Sequence, residues 1–457
     1  MKPNLKKNSR LKGFYKLNRG ERVDLVRAFA NLPVDQVRLV GQDGALSFDI
    51  ADLFIENAIG AFPLPLGIAT NFKVDGEDYL VPMAVEESSV VAAASNAARW
   101  VYESGGFTTE VVESAMIGQI QVLDVATSEF PAVRERILDA KPELLRLANE
   151  IHPRLVMRGG GALDLEVRAF PDAEVPFLVV HVVLDTKDAM GANLVNTVCE
   201  KLAPEIAALT GGRVGLRILS NLADRRVFRA RARVNPELLV AKGEEGGLSG
   251  AQIAQRIFEA FVFADSDPYR ATTHNKGIMN GVDPVVIATG NDWRAVEAGV
   301  HAYAACRTGR YRSLSTWRLD EEGWLVGTIE LPLQLGTVGG VTRLHPMARF
   351  SLQTLGNPTA NQLGRIIACS GLASNLAALR ALTTTGIQKG HMKLHAKNLA
   401  LGAGAKGEEV EVVAHLMVRE GNVSASAAEE ILHAYRERKE AERPRVSHDF
   451  TSVSELE

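Results

Sequence analysis

Between about Glu113 and Asp224 the chain changes rhythm in a way few folds can accommodate. Ile117 to Val125 alternates as a half-buried strand does, Pro131 to Glu150 has helical spacing, and Ala162 to Phe170 and Pro176 to Asp185 alternate again. Asp188 to Leu209 is helical once more and Val214 to Leu219 is a strand. The order β-α-β-β-α-β is the split βαβ arrangement of ferredoxin-like domains. A chain of 457 residues exceeds one typical core. The segment therefore reads as a small domain inserted into a larger one, in an α+β protein. The expected division is 1–112 and 225–388 for a large mixed helical and sheet domain, 113–224 for the insert, and 389–457 for a C-terminal helical flap.

Before the insert, Val23, Leu25, Val26, Phe29 and Leu32, followed by Val37, Leu39 and Val40, mark two short helices, and Asp49 to Phe62 reads as a third. Gly67 to Val74, the Asp75-Gly76 turn and Asp78 to Met83 make a hairpin pattern. Val85-Glu86-Glu87-Ser88-Ser89 then opens a helix of small residues. Its carboxylates have two readings: charges favoured in a first turn by the helix dipole, or a proton donor at a strand-to-helix junction.

After the insert come a strand near Val227 to Val234, a helix from Gly250 to Ala264, and the richest polar stretch of the chain. It runs Thr273-His274-Asn275-Lys276-Gly277-Ile278-Met279-Asn280-Gly281, then through Asp283 to Thr289-Gly290-Asn291-Asp292-Trp293. Its glycines interrupt any period, so its polar groups are expected on turns. Val285 to Ala288 reads as a short buried strand with Asp292 just past its end, where α/β folds place catalytic groups. Lys276 and Asp292 can form a buried salt bridge between loops. They can equally supply a fixed positive charge to a developing alkoxide, with the aspartate tuning the lysine. Further on, Asp292 to Cys306 is helical, Thr316 to Leu335 is a hairpin turning at Glu321-Glu322-Gly323, and the helical period from Thr359 to Leu401 breaks near Gly386. Two helices near Glu408 to Arg419 and Ser426 to Glu440 precede a polar tail from Arg443, expected to be disordered.

Glycines also mark the insert. Gly159-Gly160-Gly161 precedes a strand, and Asp188-Ala189-Met190-Gly191-Ala192-Asn193 opens a helix. A glycine at a helix start lets a phosphate approach free N–H groups; a tight turn with an aspartate cap is the other reading. Gly402-Ala403-Gly404-Ala405-Lys406-Gly407 fits G-x-G-x-x-G but follows a helix, so it is read as a hinge. His391 and His395 stand four apart, yet Met392 occupies the position of the glutamate in H-E-x-x-H, and no metal is expected.

Bulk composition removes several function classes. A formal net charge of -4 gives no reason to expect nucleic acid as the main partner. No apolar run reaches the ~20 residues that span a bilayer, so no membrane association is expected. Cys199, Cys306 and Cys369 form no C-x-x-C and read as reduced, small buried hydrophobes in a cytoplasmic protein. The first nineteen residues carry seven Lys and Arg and no acid. That arm reads as solvated, or as a contact for a phosphate-rich ligand.

Motif by motif, the chain resembles 3-hydroxy-3-methylglutaryl-coenzyme A reductase in its soluble bacterial, class II form. The resemblance rests on Glu56-Asn57-Ala58-Ile59-Gly60, the Glu86-Glu87 junction, the Asp188 to Asn193 hexapeptide, Ser220-Asn221-Leu222, the Lys276 stretch with Asp292, and Gly390-His391-Met392, in that order. It implies two hydride transfers interconverting 3-hydroxy-3-methylglutaryl-coenzyme A and mevalonate plus coenzyme A. In this reading Lys276 stabilises the reacting oxygens, Glu87 moves protons, Asp292 holds the network and His391, on the flap, protonates the thiolate. Asp164, Arg168, Asp188, Met190, Gly191, Asn193 and Asn221 would contact the nicotinamide dinucleotide, with NAD preferred and NADP possible. Arg168, on the same strand face as Asp164, would partly neutralise it. Ser89, Arg270 and Asn280 would contact substrate. The resemblance also implies a homodimer or a higher multiple of dimers, its active site at the subunit interface. A reductase of another acyl-coenzyme A, or a catalytically silent coenzyme-A-binding dimer, are the alternatives.

Overall fold

A computed structural model describes residues 7–42, 46–240, 247–384 and 386–441, the side chains of 387–394 and 440–441 excepted. The start of the basic arm, the polar tail and the side chain of His391 lie outside the described residues. The chain divides into two compact units, Met1–Thr384 and Thr385–Glu457.

The first unit opens with α1 (Arg19–Ala30), α2 (Val34–Gly41) and α3 (Phe48–Phe54). The third helix is shorter than expected: Ile55 is already extended, and the segment to Pro65 carries the exposed apolar side chains Ile59 and Phe62, which no helix face shelters. The hairpin is where the sequence places it, as β1 (Leu66–Val74) and β2 (Glu77–Ala84). Next come α4 (Val90–Glu103) and β3 (Phe107–Ser114), a strand the sequence reading missed. Glu86 and Glu87 precede α4, whose N-cap Ser89 makes no side-chain cap bond. Neither glutamate lies in the first turn of α4, so the first-turn reading of the two carboxylates fails.

The insert follows as β4 (Met116–Leu123), α5 (Phe130–Asp139), α6 (Lys141–Ile151), α7 (Pro153–Met157), β5 (Gly161–Phe170), β6 (Phe177–Asp185), α8 (Ala192–Thr210) and β7 (Arg213–Leu219). Its four strands pair antiparallel in the order β5-β6-β4-β7, the ferredoxin-like order. A core of its own, including Ile120, Val133, Leu165, Val180, Val198 and Leu202, lies between sheet and helices.

Return to the large sheet is through β8 (Arg226–Val234), followed by α9 (Gly250–Ser266), α10 (Pro268–Ala288), α11 (Trp293–Cys306), β9 (Ser315–Leu319), β10 (Leu325–Pro332), α12 (Gly340–Leu344), α13 (Pro346–Thr354) and α14 (Ala360–Thr383). The sheet order is β2-β1-β3-β8-β10-β9. The second unit holds α15 (Ile387–Gly402), α16 (Glu408–Glu420) and α17 (Ala425–Ala441) around Ala400, Val413, Met417 and Leu432.

The polar stretch is the main correction to the sequence reading. Up to Ala288 it forms neither turns nor a strand but one 21-residue helix, α10, started by the Asp267 N-cap and Pro268 in the first turn, and Thr289 to Asp292 lie on the turn that follows, as expected. Its buried positions, Ala271, His274, Asn275, Ile278, Met279, Val282, Val285 and Val286, have helical spacing. Two of them are polar, which hid the period. Gly281 marks a close approach: a Cβ there would lie 2.4 Å from the Ser370 carbonyl oxygen on α14. α14 is itself long and apolar enough to cross a membrane by length and composition, although Gln362, Arg365, Asn375 and Arg380 interrupt its apolar run. It packs against α10, α4 and β8 as a core helix. Cys306 is exposed, unlike Cys199 and Cys369, because it ends α11.

Two glycines of α10 should answer oppositely to alanine. A methyl group added at Gly277 would meet no heavy atom within 4 Å, so Gly277→Ala should stabilise by up to about 1 kcal/mol through helix propensity. Gly281→Ala should destabilise by about 2 kcal/mol through overpacking against α14. Urea unfolding midpoints of the two variants check the contrast.

Candidate active site

Lys276 leaves α10 toward the junction between β2 and α4, where its Nζ meets Glu87 Oε2 at 3.0 Å. The partner expected for the lysine was Asp292; the ion pair instead joins α10 to the acidic junction. Asp292 is the N-cap of α11, accepting from the N–H groups of Arg294 (3.1 Å) and Ala295 (3.2 Å) and pairing with Arg294. Arg270, in the first turn of α10, has no hydrogen-bond or ion-pair partner among the described residues, and partial burial lowers its pKa. Ser89 sits in the left-handed region at φ 74°, and Asn280 lies one residue before Gly281 on α10.

What seats α10 is a buried polar network. His274 Nε2 lies 2.8 Å from Ser315 Oγ and 3.1 Å from Asn375 Nδ2, and Trp317 Nε1 donates to Asn375 Oδ1 at 2.7 Å. Asn275 donates to the Arg312 carbonyl and accepts from Leu314 N–H. His274 is 3% exposed. Burial, and then the charge of Arg270, hold its imidazole down to about 3, against an opposing pull from Asp265. A second link ties α10 to α11. Burial, and then the neighbouring Glu297, push the Asp283 carboxyl up to about 9, while Glu297 is lowered chiefly by His301, 2.8 Å away.

In the insert, Gly191 is the N-cap of α8 at φ 106°, and a Cβ would fall 2.7 Å from Thr186 Cγ2. No side chain caps the helix, so its first N–H groups are free for a ligand. The expected helix start at Asp188 moves to Ala192, because residues 188–191 form the turn. Asp188 Oδ1 accepts from Ala360 N–H (2.8 Å), the start of α14, and its carbonyl accepts from Thr337 N–H. Ala189, Met190, Gly191 and Asn193 line a cavity of about 1590 Å³ with Asn291, Asp292 and Trp293. The structure thus brings Asp292 together with the α8 loop. Lys276 and Glu87 form a separate pair, connected to Asp292 through α10.

Asp164, on β5, departs from expectation in its partner. It pairs with Lys141 at the start of α6, and that contact lowers its pKa. Arg168 lies over the Phe170 ring instead. Asn221 is exposed, its carbonyl accepting from Gln334 Nε2 at 3.2 Å. Sequence reasoning missed Lys141, which carried no signal, and Arg226, which did carry one. Arg226 shares strand parity with the buried Phe228, Ala230, Ala232 and Val234.

Residues 18–396 match the sequence family described as hydroxymethylglutaryl-coenzyme A reductase. The chain belongs to this family. It is 51% identical over 429 residues to the 3-hydroxy-3-methylglutaryl-coenzyme A reductase of Archaeoglobus fulgidus, covering 94% of this chain and 95% of that one. A probable reductase of Borreliella burgdorferi is 37% identical over 76% of this chain and 77% of its own. Among solved structures, the Streptococcus pneumoniae reductase superposes with a TM-score of 0.78 at 44% identity, covering 93% of this chain and 99% of that one. A class II reductase from the same organism, bound to NADPH in open conformations, gives 0.77 at 44% identity over 82% and 99% of the two chains. The chain accordingly interconverts 3-hydroxy-3-methylglutaryl-coenzyme A and mevalonate plus coenzyme A.

The depressed imidazole makes α10 acid-sensitive. With a folded pKa of about 3 against an unfolded value of about 6.5, the stability tied to neutral His274 is complete above pH 6.5. It is lost as pH falls toward 3, at up to about 1.4 kcal/mol per pH unit. The stability difference between pH 7 and pH 4.5, from urea unfolding, should therefore shrink by roughly 2 to 3 kcal/mol in His274→Gln.

Proposed function

We propose that the Lys276–Glu87 ion pair, 3.0 Å long, is the reacting centre of the reductase, and this pair is the observation that carries the reading. A reduced nicotinamide supplies hydride for each of the two reductions. Lys276 offers an ammonium to the carbonyl oxygen as negative charge develops on it, first in the thioester and then in the aldehyde. Glu87, in contact with the ammonium, passes protons to and from that oxygen. Asp292 acts from the cap of α11, whose hydrogen bonds hold its orientation. His391 protonates the departing coenzyme A thiolate, an assignment that rests on the Gly390-His391-Met392 motif.

Substrate contacts follow the same logic. Arg270, partly desolvated and unpaired among the described residues, takes the terminal carboxylate of the substrate as a planar fork would. Ser89 and Asn280 contact its remaining polar groups. The segment 113–224 is the cofactor domain, and its fit to a dinucleotide is supported by Gly191: a Cβ would collide with Thr186, and the uncapped start of α8 is open to phosphate. Met190 and Asn193 line the same cavity, Asp188 fixes the loop, and Asn221, Asp164 and Arg168 contact the rest of the cofactor. Lys141 changes the expected NADH preference. By neutralising Asp164 it offers a 2′-phosphate a cation, so both NADPH and NADH serve. NADPH in the Streptococcus pneumoniae relative supports this.

The working molecule is a homodimer or a multiple of dimers. Ile59 and Phe62, 100% and 93% exposed, and Leu53, 81% exposed, form an apolar segment for a second copy to cover. The free thiols suit the cytoplasm.

Lys276→Ala should lose at least ~100-fold in both reduction steps while cofactor affinity stays near wild type. His391→Gln should collapse thioester turnover yet spare reduction of free mevaldehyde; equal losses with both substrates would refute the division of roles. Initial rates with each substrate decide. Lys141→Ala should lower kcat/KM for NADPH relative to NADH, and Asp164→Asn should raise it. An unchanged ratio in both variants would remove the pair from cofactor choice.

A further inference from the structure

Arg226, the first residue of β8, is 1% exposed, and no carboxylate touches it among the described residues. Its Nη1 donates to Thr186 Oγ1 (3.1 Å), the Ala189 carbonyl (3.1 Å) and the Met190 carbonyl (3.2 Å), and its Nη2 donates to the Lys187 carbonyl (3.1 Å). All four acceptors belong to residues 186–190, the segment that leads into the Gly191 cap of α8. Thr186 Oγ1 in turn donates to the Ala189 carbonyl at 2.9 Å, closing the turn on itself. Burying a guanidinium with no carboxylate in hydrogen-bond contact is costly unless its donors are satisfied, and the nearby charges of Asp185 and Asp188 oppose the effect of that burial without offsetting it. Here most of the donors are satisfied by one loop, which is held in an unusual shape: Lys187 at φ 51° and Gly191 at φ 106°.

The arrangement has a direction. With the carbonyl oxygens of 187, 189 and 190 drawn onto Arg226, the first N–H groups of α8 remain for a ligand in the cavity that Ala189, Met190, Gly191 and Asn193 line. Arg226 belongs to the large sheet and the loop to the insert, so the loop takes its shape from outside its own domain. Thr337 N–H and Ala360 N–H, both beyond β8 in sequence, donate to Asp188 as well.

We propose that Arg226 is a positioning residue for the dinucleotide: it shapes the 186–191 loop through its carbonyl oxygens without touching the cofactor. The proposal rests on the reading of that loop as the dinucleotide contact. Charge alone does not suffice for this role, because a lysine ammonium cannot span four acceptors in a planar array.

The test uses the full-length protein, with NADPH and NADH as probes titrated by nicotinamide fluorescence, alongside steady-state kinetics. Arg226→Lys should raise the Kd of both dinucleotides about tenfold or more. Its KM for 3-hydroxy-3-methylglutaryl-coenzyme A and its kcat at saturating cofactor should stay within about threefold of wild type. Thr186→Val, which removes one acceptor at nearly constant volume, should raise the Kd by about threefold. It also keeps the test alive if Arg226→Lys fails to fold. Asn193→Ala probes the underlying reading. If it loses dinucleotide affinity while Arg226→Lys and Thr186→Val bind as wild type does, the positioning role is overturned and the loop reading stands. If Asn193→Ala also binds normally, the loop is not the contact and both fall. Equal rises in KM for cofactor and for the acyl-coenzyme A substrate, with a lowered Tm, would show a general structural role and overturn the proposal.

Discussion

Most of the large domain depends on a polar helix being accepted into an apolar core. α10 carries Lys276, which pairs with Glu87, and it lies against α14 closely enough that Gly281 has no room for a methyl group. Such contact would be ruinous if its buried polar groups were left unpaired. His274, Ser315, Trp317 and Asn375 satisfy most of one another's hydrogen bonds instead, and Asn275 bonds the backbone of Arg312 and Leu314. An apolar helix would have been easier to bury and less well specified: these bonds fix rotation about the helix axis, and rotation decides where Lys276 emerges.

The two sheets divide the remaining work. The large sheet and its helices place Glu87, Lys276 and Asp292; the four-stranded sheet carries the 186–191 loop with its glycine cap of α8. They share a seam in which Arg226, Thr337 and Ala360 of the large part all bond to residues 186–190 of the insert. An inserted domain is ordinarily free to shift. Along this seam the hydrogen bonds run to one loop, so its geometry is coupled to the position of α14 and, through α14, to α10.

The sequence made the insert legible because its periods are clean: four alternating strands and two helical stretches leave little choice of topology. The acidic junction and the hairpin before it were legible for the same reason, as was the break between α14 and α15. The Lys276 stretch was not. A hydrophobic period reports a helix only when its buried side is apolar, and α10 buries His274 and Asn275. Pairings were hidden for a different reason. Lys141 and Asp164 lie on separate elements, and nothing in the spacing of 23 residues between them shows that α6 delivers its first residue to β5. Arg226 was visible in principle, as a charged residue at an inward parity, but Arg229, Arg231 and Arg233 on the same strand are at least partly exposed, and four arginines in eight residues mask the one that is buried.

The position of β5 at the rim of its sheet carries a consequence for redesign. β5 pairs only with β6, so its outer side is an unpaired edge, and Asp164, Glu166 and Arg168 stand along it. Charges on such a strand discourage other chains from adding to the sheet. These charged residues therefore act as gatekeepers against aggregation. Replacing them with neutral, β-prone side chains would expose a sticky edge and cost solubility.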